Sequence, residues 1–217
     1  MAYIDEKSKK LIIDRFSKEL KGDVNLILFK DSMEKCHYCN DVEGIIQELS
    51  SLDSRLKVTV YEINKNDKEA KFLGVDKVPA LILGGSRIYN ILYFGLPSGY
   101  EFSSLLDDII DVSKGETKLS EEVKRDIRSI SKKVDIKIFV TPTCPYCPRA
   151  VRVAHQFALE NINIKSSMIE AIEFPELSNK YGVMAVPKIV INDRTSFEGA
   201  YPERDFLAQI MQDLEKK

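Results

Sequence analysis

The 217-residue sequence predicts an α/β fold built twice in tandem, each copy a central mixed sheet flanked by helices. Three observations carry this prediction: a motif repeated at constant spacing, short apolar runs of strand length, and helical periodicity between those runs. A chain with 44% hydrophobic residues and this length can form two compact cores of about 100 residues each.

The repeat is centred on two cysteine pairs, Cys36/Cys39 and Cys144/Cys147, and the chain has 4 cysteines in all. Each pair is followed by Gly-Val-x-x-Val-Pro, and every one of these positions recurs 108 residues later (36 to 144). The matched positions are Gly74, Val75, Val78 and Pro79 in the first copy and Gly182, Val183, Val186 and Pro187 in the second. We therefore predict one unit in residues 1–114 and a second in residues 118–217, joined at the polar stretch 113–118.

Each unit is predicted to run αβαβαββα. Short apolar, β-branched runs and alternating runs indicate strands, spacing of three and four apolar positions indicates helices, and glycine after a short helix indicates a C-cap. In the first unit the elements are helix 6–21, strand 24–30, a helix after Cys39 with Val42, Ile45, Ile46 and Leu49 inward, strand 56–63, helix 67–73, strand 80–83, a hairpin turn at 84–87 with a further strand, and helix 99–113.

The second unit repeats this order. Its predicted elements are helix 119–132 with Ile127 and Ile130 inward, strand 136–140, a helix after Cys147 with Ala150, Val153, Ala154 and Phe157 inward, strand 162–170, helix 174–181, strand 188–191 with a partner, and helix 202–215.

Composition and charge exclude some classes of binding partner for this protein. The net charge is −2 and no basic stripe typical of nucleic-acid binding is present. The N-terminal stretch has no apolar run long enough for a signal peptide or a membrane span. We expect a soluble, cytoplasmic protein with no nucleic-acid and no membrane partner. The 30% charged residues and the absence of tryptophan favour a thermophilic source.

Each cysteine pair lies between a predicted strand and a predicted helix. Unpaired amides and the helix dipole at such a position favour a thiolate, so Cys36 and Cys144 are the predicted nucleophiles. A helical turn brings Cys39 and Cys147 close enough to close a disulfide and to resolve a mixed disulfide. We expect the first cysteine of each pair to be the more exposed. Pro148 is tolerated in a first helical turn, so the helix is predicted to begin at Cys144.

A CxxC motif between strand and helix, with Val-Pro 40 residues after the second cysteine (39 to 79 and 147 to 187), resembles the thioredoxin superfamily. "CPYC" resembles glutaredoxins. Two such units in tandem, with "TPTCPYCPRAV" and "YGVMAVPKIVI" in the second, resemble the protein disulfide oxidoreductases of hyperthermophilic archaea and bacteria over nearly the whole chain.

The resemblance implies two fused thioredoxin folds, cis peptide bonds before Pro79 and Pro187, and substrate contacts at Val78, Pro79, Val186 and Pro187. It implies thiol–disulfide exchange with protein substrates that carry disulfides or dithiols, and two unequal sites would allow one protein to reduce, oxidise and isomerise disulfides. It also implies that no cofactor is bound, and that NADPH supplies reducing equivalents through a flavin-dependent thioredoxin reductase.

The residues between the cysteines are expected to tune the redox potential. Pro145 removes a backbone donor near the thiolate, and Tyr146 offers a ring to the substrate. Tyr38 holds the matching position in the first pair. His37 either adds positive charge beside Cys36, which favours a thiolate and a more oxidising couple, or is an exposed histidine with little effect. We predict that the Cys144–Cys147 pair is the stronger reductant.

One position departs from the thioredoxin pattern. Thioredoxins carry a buried acidic residue six positions before the first cysteine, which relays protons. Ile138 occupies that position in the second unit, and Leu28 corresponds to it in the first once the longer loop is allowed for. The proton acceptor for Cys39 and Cys147 is therefore unassigned, and His155 is expected to be a packing or surface residue rather than a base.

Three alternatives stay open at this point. An electron-relay domain pair of the kind attached to peroxide-reducing flavoproteins has the same double fold but usually keeps one CxxC. Four thiolates could instead hold zinc or an iron–sulfur cluster, although zinc ribbons separate their pairs by about 15–20 residues, and no metal ligand is predicted. A peptide-binding chaperone would use the fold and not the cysteines.

Overall fold

The computed structural model describes residues 2–216. Residues 1 and 217, the outer ends of the two predicted units, lie outside the described part. The chain runs twice through αβαβαββα, as predicted. The first round is α1 Glu6–Glu19, β1 Val24–Lys30, α2 Cys39–Leu52, β2 Leu56–Glu62, α3 Asp67–Leu73, β3 Ala80–Gly84, β4 Ile88–Phe94 and α4 Glu101–Lys114. The second is α5 Glu121–Ser129, β5 Val134–Val140, α6 Cys147–Glu160, β6 Ile164–Glu170, α7 Pro175–Lys180, β7 Lys188–Ile191, β8 Thr195–Glu198 and α8 Glu203–Glu215.

All strands join one 8-stranded sheet in the order β2-β1-β3-β4-β6-β5-β7-β8. Each round contributes a mixed set of four strands with the same internal order, so the fold is two tandem thioredoxin-like units whose sheets continue into each other. The join is β4, which pairs in parallel with β6 from Ile91↔Ser166 to Phe94↔Ile169. This pairing covers one edge strand of each unit, whose unpaired amides and carbonyls would otherwise lie open.

Strand directions place several loops at one edge of the sheet. β1 and β3 are antiparallel, as are β3 and β4, whereas β4/β6 and β6/β5 are parallel. The strands β1, β4, β6 and β5 therefore run in the same direction. The segments that follow them, including both cysteine pairs, all leave the sheet at the same edge.

The sheet is buried on both faces, which explains why its strands are continuous apolar runs. In β1, Leu26 and Leu28 belong to the core on one face, whereas Ile27 and Phe29 belong to the core on the other. This alternation is the two-residue period of a strand. Each of the two cores contains residues from both halves of the chain, so the halves share their interior.

Helix α5 is shorter than the predicted helix over 119–132. The Ser120 hydroxyl caps its start by accepting from the Val123 amide. At its end, the Asn161 side-chain amide donates to the carbonyl oxygens of Ile127 (2.7 Å) and Ile130 (2.8 Å). These bonds satisfy the last carbonyls from outside the helix, so the chain turns into β5. Ile127 and Ile130 are buried, as predicted.

Helix α4 of the first half packs against α6 of the second through buried charged groups. Arg152 pairs with Asp108 and with Asp111, the latter at 2.5 Å. Asp108 also accepts from the Tyr93 hydroxyl and lies 2.5 Å from His155 Nδ1. Burial, reinforced by the charge of Arg152, holds the pKa of His155 well below its ordinary value, so the neutral ring donates to Asp108. His155 is fully buried, which is the packing position expected for it.

Within residues 2–216, no helix has both the length and the apolar composition needed to cross a membrane.

Candidate redox sites at the two CxxC motifs

Each cysteine pair closes its own disulfide. Cys36 is bonded to Cys39 and Cys144 to Cys147, with Cα atoms 5.5 Å apart in both pairs, a usual separation for a disulfide. We call them the N-terminal site (Cys36–Cys39) and the C-terminal site (Cys144–Cys147). Across residues 2–216, no cluster of three or more His, Cys, Asp or Glu side chains is arranged to hold a metal ion.

The helices begin at the second cysteine of each pair, not at the first. Helix α2 starts at Cys39 and α6 at Cys147, so the predicted start at Cys144 is wrong. The Cys144 amide is taken by the Thr141 carbonyl in a turn (3.1 Å), which ends before the helix begins. Pro148 lies in the first turn of α6, where its missing N–H costs no helical bond.

The helix N-terminus nevertheless reaches the first sulfur. The Cys147 backbone N–H donates to Cys144 Sγ at 3.1 Å. An amide that points at sulfur from a helix N-terminus stabilises a thiolate there. The predicted nucleophile therefore has the electrostatic environment that its chemistry needs, although it lies just before the helix.

Exposure follows the predicted order within each pair, but the differences are small. Cys36 is 3% exposed and Cys39 1%, while Cys144 is 7% exposed and Cys147 0%. The side chains between the cysteines are the exposed part of each site: His37, Tyr38, Pro145 and Tyr146. Tyr146 reaches 70% exposure. A partner protein would therefore contact these dipeptides before it contacts the cysteine sulfur atoms.

Both Val-Pro elements lie beside the disulfides. The Val78–Pro79 and Val186–Pro187 peptide bonds are cis, as the resemblance implied. The Val186 carbonyl oxygen is 3.6 Å from Cys144 Sγ, and Val78 and Pro79 line a cavity together with Cys36. The fold thus brings together all twelve residues that the sequence singled out, six at each site.

The cavity at the N-terminal site, about 330 Å³, is lined by both halves of the chain. One wall consists of the CHYC loop and the Val78–Pro79 element, and the other is residues 172–175, which follow β6. A larger cavity of about 580 Å³ adjoins it and shares Glu173, Phe174 and Pro175, but no cysteine lines that one. The smaller cavity is therefore the one placed for sulfur chemistry.

Leu28 and Ile138 are fully buried, so the usual acidic position is apolar at both sites. Glu101, at the start of α4, is 1% exposed, and neither of its carboxyl oxygens makes a well-formed hydrogen bond. Burial raises the pKa of Glu101 to about 7, and the opposing influence of the Ser104 hydroxyl does not offset this. The preceding residue, Tyr100, donates its amide to the Pro142 carbonyl (3.1 Å), two residues before Cys144.

Two further carboxyls lie at the end of β6, the buried Glu170 within the strand and the half-buried Glu173 after it. Glu170 is 3% exposed, and its Oε2 accepts from the Glu173 amide at 2.6 Å. Burial raises the pKa of both, that of Glu173 to about 7. Sequence reasoning missed all three acids. Glu101 left one signal in the sequence, since helical spacing places it on the same face as the apolar Leu105 and Val112, at i+4 and i+11. Glu173 lies in a loop of no periodicity and left none.

Comparisons with known proteins agree with this architecture. Residues 134–212 match the thioredoxin domain family. The chain is 24% identical over 186 residues to an NADH dehydrogenase of Bacillus subtilis (strain 168), covering 86% of this chain and 34% of that protein. It is 26% identical over 191 residues to the AhpF component of alkyl hydroperoxide reductase in Staphylococcus aureus (strain Mu50), covering 88% and 34%. The chain thus spans about a third of the length of these curated relatives.

Two solved structures match over almost the whole chain. A protein disulfide oxidoreductase from Aeropyrum pernix K1 has a TM-score of 0.90 and 29% identity, covering 98% of this chain and 94% of that one. The AhpF component of alkyl hydroperoxide reductase in Enterococcus faecalis (V583), as a C503A mutant, has a TM-score of 0.89 and 23% identity, covering 96% and 99%. The tandem thioredoxin fold and the resemblance to protein disulfide oxidoreductases, both predicted from the sequence, are confirmed.

Proposed function

We propose that this thioredoxin-fold redox protein is a protein disulfide oxidoreductase, which exchanges disulfides with proteins at both CxxC sites. One observation carries the proposal: each half holds a closed CxxC disulfide beside a Val-Pro element. The 29% identity to the Aeropyrum pernix oxidoreductase over 98% of the chain supports it. The two-unit division at residues 114 and 118 is part of the same proposal, with one site in each unit.

In the reducing direction, Cys144 attacks a substrate disulfide as a thiolate. A Cys144–substrate bond forms, the substrate S–S bond breaks, and its electron pair leaves on the other substrate sulfur. Cys147 then attacks Cys144, which releases the second substrate sulfur and closes the enzyme disulfide. The Cys147 amide at 3.1 Å from Cys144 Sγ stabilises the attacking thiolate. Cys36 and Cys39 take the same roles at the N-terminal site.

Substrate recognition is proposed at the exposed apolar side chains beside each disulfide. Tyr146 is 70% exposed and Met184, two residues before Val186, is 91% exposed. The backbone of Val186 adjoins Cys144, so an extended peptide bonded there would present its sulfur to the nucleophile. Val78 and Pro79 hold the corresponding place at the N-terminal site. The partners fitting this surface are protein segments that carry disulfides or dithiols.

Resolution at the C-terminal site requires Cys147 to lose a proton. Glu101 is a buried carboxyl with a pKa of about 7, and its helix packs against the helix that begins at Cys147. We assign proton acceptance at this site to Glu101, which takes the place of the acid absent at Ile138. Reducing equivalents are proposed to come from NADPH through a flavin-dependent thioredoxin reductase, in the cytoplasm, without a cofactor bound to this chain.

A second candidate is an electron relay within a peroxide-reducing system. The observation that favours it is the match of the chain to about a third of an alkyl hydroperoxide reductase component, AhpF. A relay passes electrons to one dedicated partner, whereas an oxidoreductase acts on many proteins. The presence of two closed CxxC sites favours the oxidoreductase.

Insulin reduction by dithiothreitol tests the proposal. We expect the protein to accelerate it, and we expect the Cys144→Ser/Cys147→Ser variant to lose most of this activity while Cys36→Ser/Cys39→Ser retains more. A relay that serves one partner leaves insulin reduction at the rate of dithiothreitol alone. That result, in a protein whose disulfides are reduced normally by dithiothreitol, would overturn the oxidoreductase proposal in favour of the relay.

A further inference from the structure

The cavity at the N-terminal site contains a single carboxyl, and the other half of the chain supplies it. Glu173 lines this cavity together with Cys36, Val78 and Pro79. It follows β6, whereas Cys36 follows β1, and both loops leave the shared sheet at the same edge. The join between the halves therefore brings an acid to a site whose own unit has Leu28 in the usual acidic position.

The Glu173 carboxyl is fixed against the Val78–Pro79 element. Its Oε1 accepts from the Leu96 amide at 2.7 Å, and the preceding Gly95 amide donates to the Pro79 carbonyl at 3.1 Å. Gly95 has φ +95°, and a Cβ there would lie 2.7 Å from Glu170 Cβ and 3.1 Å from both Glu173 Cδ and Oε1. The positive φ and this close approach require glycine at the position, so the backbone leaves room for both glutamate side chains.

The surroundings of Glu173 let it exchange a proton near neutral pH. Burial raises its pKa to about 7, the Leu96 amide opposes this, and the charges of Glu170 and Asp41 reinforce it. Asp41 lies in the first turn of α2, directly after the N-terminal site. Apart from Cys36, the remaining charged or titratable groups around the two adjoining cavities are Lys35, His37, Tyr38, Lys77, Glu176 and Lys180. A carboxyl with this pKa is protonated and ionised in comparable amounts at neutral pH, as a general acid–base group requires.

We propose that Glu173 is the general acid–base residue of the N-terminal site and exchanges protons with substrate sulfur in the cavity it shares with Cys36. This assignment rests on the proposed function of the site in thiol–disulfide exchange. It also gives the join between the halves a catalytic role, because the C-terminal half completes the N-terminal site.

In the oxidising direction, a substrate thiol in the cavity gives its proton to the Glu173 carboxylate, and the thiolate attacks Cys36 Sγ. The Cys36–Cys39 bond breaks, and its electron pair leaves on Cys39, which takes a proton from water. A second substrate thiolate, its proton lost to water, attacks the substrate sulfur bound to Cys36, and Cys36 leaves as a thiolate. Glu173 returns its proton to water. The substrate is oxidised by two electrons and the cysteine pair is reduced by two.

The test is the rate at which dithiothreitol reduces the Cys36–Cys39 disulfide in the full chain carrying Cys144→Ser and Cys147→Ser. Aliquots are quenched in acid, alkylated and weighed by mass spectrometry between pH 5.5 and 8.5. Glu173→Gln is compared with the parent, since glutamine can still accept from the Leu96 amide. Glu176→Gln is the matched control, because this exposed acid lines only the adjoining cavity. Glu173→Asp keeps a titratable carboxyl.

We expect the reduction rate of the parent, once corrected for the thiolate fraction of dithiothreitol, to be constant below pH 7 and to fall above it. The attacking thiol and Glu173 share one proton during attack, and this proton is lost as the pH rises through the pKa of Glu173. Glu173→Gln should react at least about tenfold more slowly below pH 7 and show no such pH dependence. Glu173→Asp should keep the slowing at high pH, which shows that a loss of fold does not explain the glutamine variant. Glu176→Gln should match the parent.

Two results overturn the assignment. One is a Glu173→Gln profile identical to that of Glu176→Gln. The other is slowing that disappears when cationic cysteamine replaces dithiothreitol, because repulsion of the anionic thiolate by the Glu173 charge then explains the profile. Dithiothreitol reduces the disulfide whether or not proteins are substrates. A failure of this assignment is therefore distinct from a failure of the proposed function, which insulin reduction reports.

Discussion

At the scale of single residues, the buried acids are the informative feature. A carboxyl of 1% exposure without a well-formed hydrogen bond, as at Glu101, lowers stability whenever it is ionised. Its pKa of about 7 lies above the ordinary value for glutamate, so the folded state binds more protons than the unfolded chain between those two values. Stability is therefore highest at low pH in this range and falls as pH rises through about 7. A cost of this kind is typical of functional sites.

We predict that Glu101→Gln weakens the C-terminal site and flattens the pH dependence of stability. With the N-terminal cysteines replaced by serine, exchange at the C-terminal site should rise through pH 7 in the parent and lose that rise in the variant. Between pH 5 and pH 8 the variant should lose less unfolding free energy than the parent, by up to about 3 kcal/mol. Urea titrations at both pH values and insulin reduction measure the two effects.

Glu203→Gln is the control for that experiment, because Glu203 likewise opens the last helix of its half but bonds the Ser120 amide and hydroxyl at an exposed position. If Glu203→Gln changes the rate at the C-terminal site as much as Glu101→Gln does, the assignment of Glu101 is wrong.

The sequence predicted the residues of each site that share a motif and missed those that tertiary structure supplies. Cys36 and Val78 lie in one repeat, so the repeated motif and the family resemblance together predicted them at one site. Glu173 lines a cavity with Cys36 only because β4 and β6 pair, which places a loop of one half against a loop of the other. No local pattern records such a contact.

At the scale of elements, periodicity predicted every strand and helix, and the errors are at their ends. The strand 188–191 was predicted without error, whereas α5 ends at Ser129 and α6 begins at Cys147. The end of α5 depends on Asn161, which is distant in sequence, so hydropathy in the helix itself could not reveal it. Asn161 is the residue that ends α6, so its bonds to the Ile127 and Ile130 carbonyls join the ends of α5 and α6.

We predict that Asn161→Ala destabilises the protein by about 2–3 kcal/mol. The substitution removes three hydrogen bonds of the Asn161 side chain, two to the Ile127 and Ile130 carbonyls and one from the Asn163 amide, and each contributes about 0.5–1.5 kcal/mol. Urea unfolding followed by far-UV circular dichroism measures the change. Asn90→Ala removes an exposed bond to the Ile162 carbonyl (2.8 Å) and should cost far less. Equal losses in the two variants would show that Asn161 does not hold the end of α5.

At the scale of the whole molecule, the shared sheet and the α4–α6 contact make the two halves one structure. Each half supplies charges that the other neutralises: Arg152 comes from the second half, and Asp108 and Asp111 come from the first. Burial, reinforced by the charge of Asp107, raises the pKa of Asp111 to about 6 against the opposing charges of Lys118, Lys114 and Arg15. The network tolerates ionised carboxylates in the interior because a guanidinium lies against them. Removing one partner of such a buried ion pair costs far more free energy than the loss of one hydrogen bond, because it leaves a buried charge uncompensated.

We therefore predict that Arg152→Met destabilises the protein by about 3–5 kcal/mol, and by more at pH 8 than at pH 5. In this variant Asp108 and Asp111 stay buried without a cation, so the folded state holds their protons to a higher pH than the unfolded chain does. The free energy of unfolding therefore falls as the pH rises through this range. Urea unfolding at both pH values gives the difference. Arg204→Met is the matched control, since Arg204 pairs with Glu122 and the two side chains are 64% and 50% exposed, and it should cost about 1 kcal/mol or less. If Arg152→Met costs no more than Arg204→Met, the contact between the halves depends on the shared sheet and apolar cores and not on this charge network.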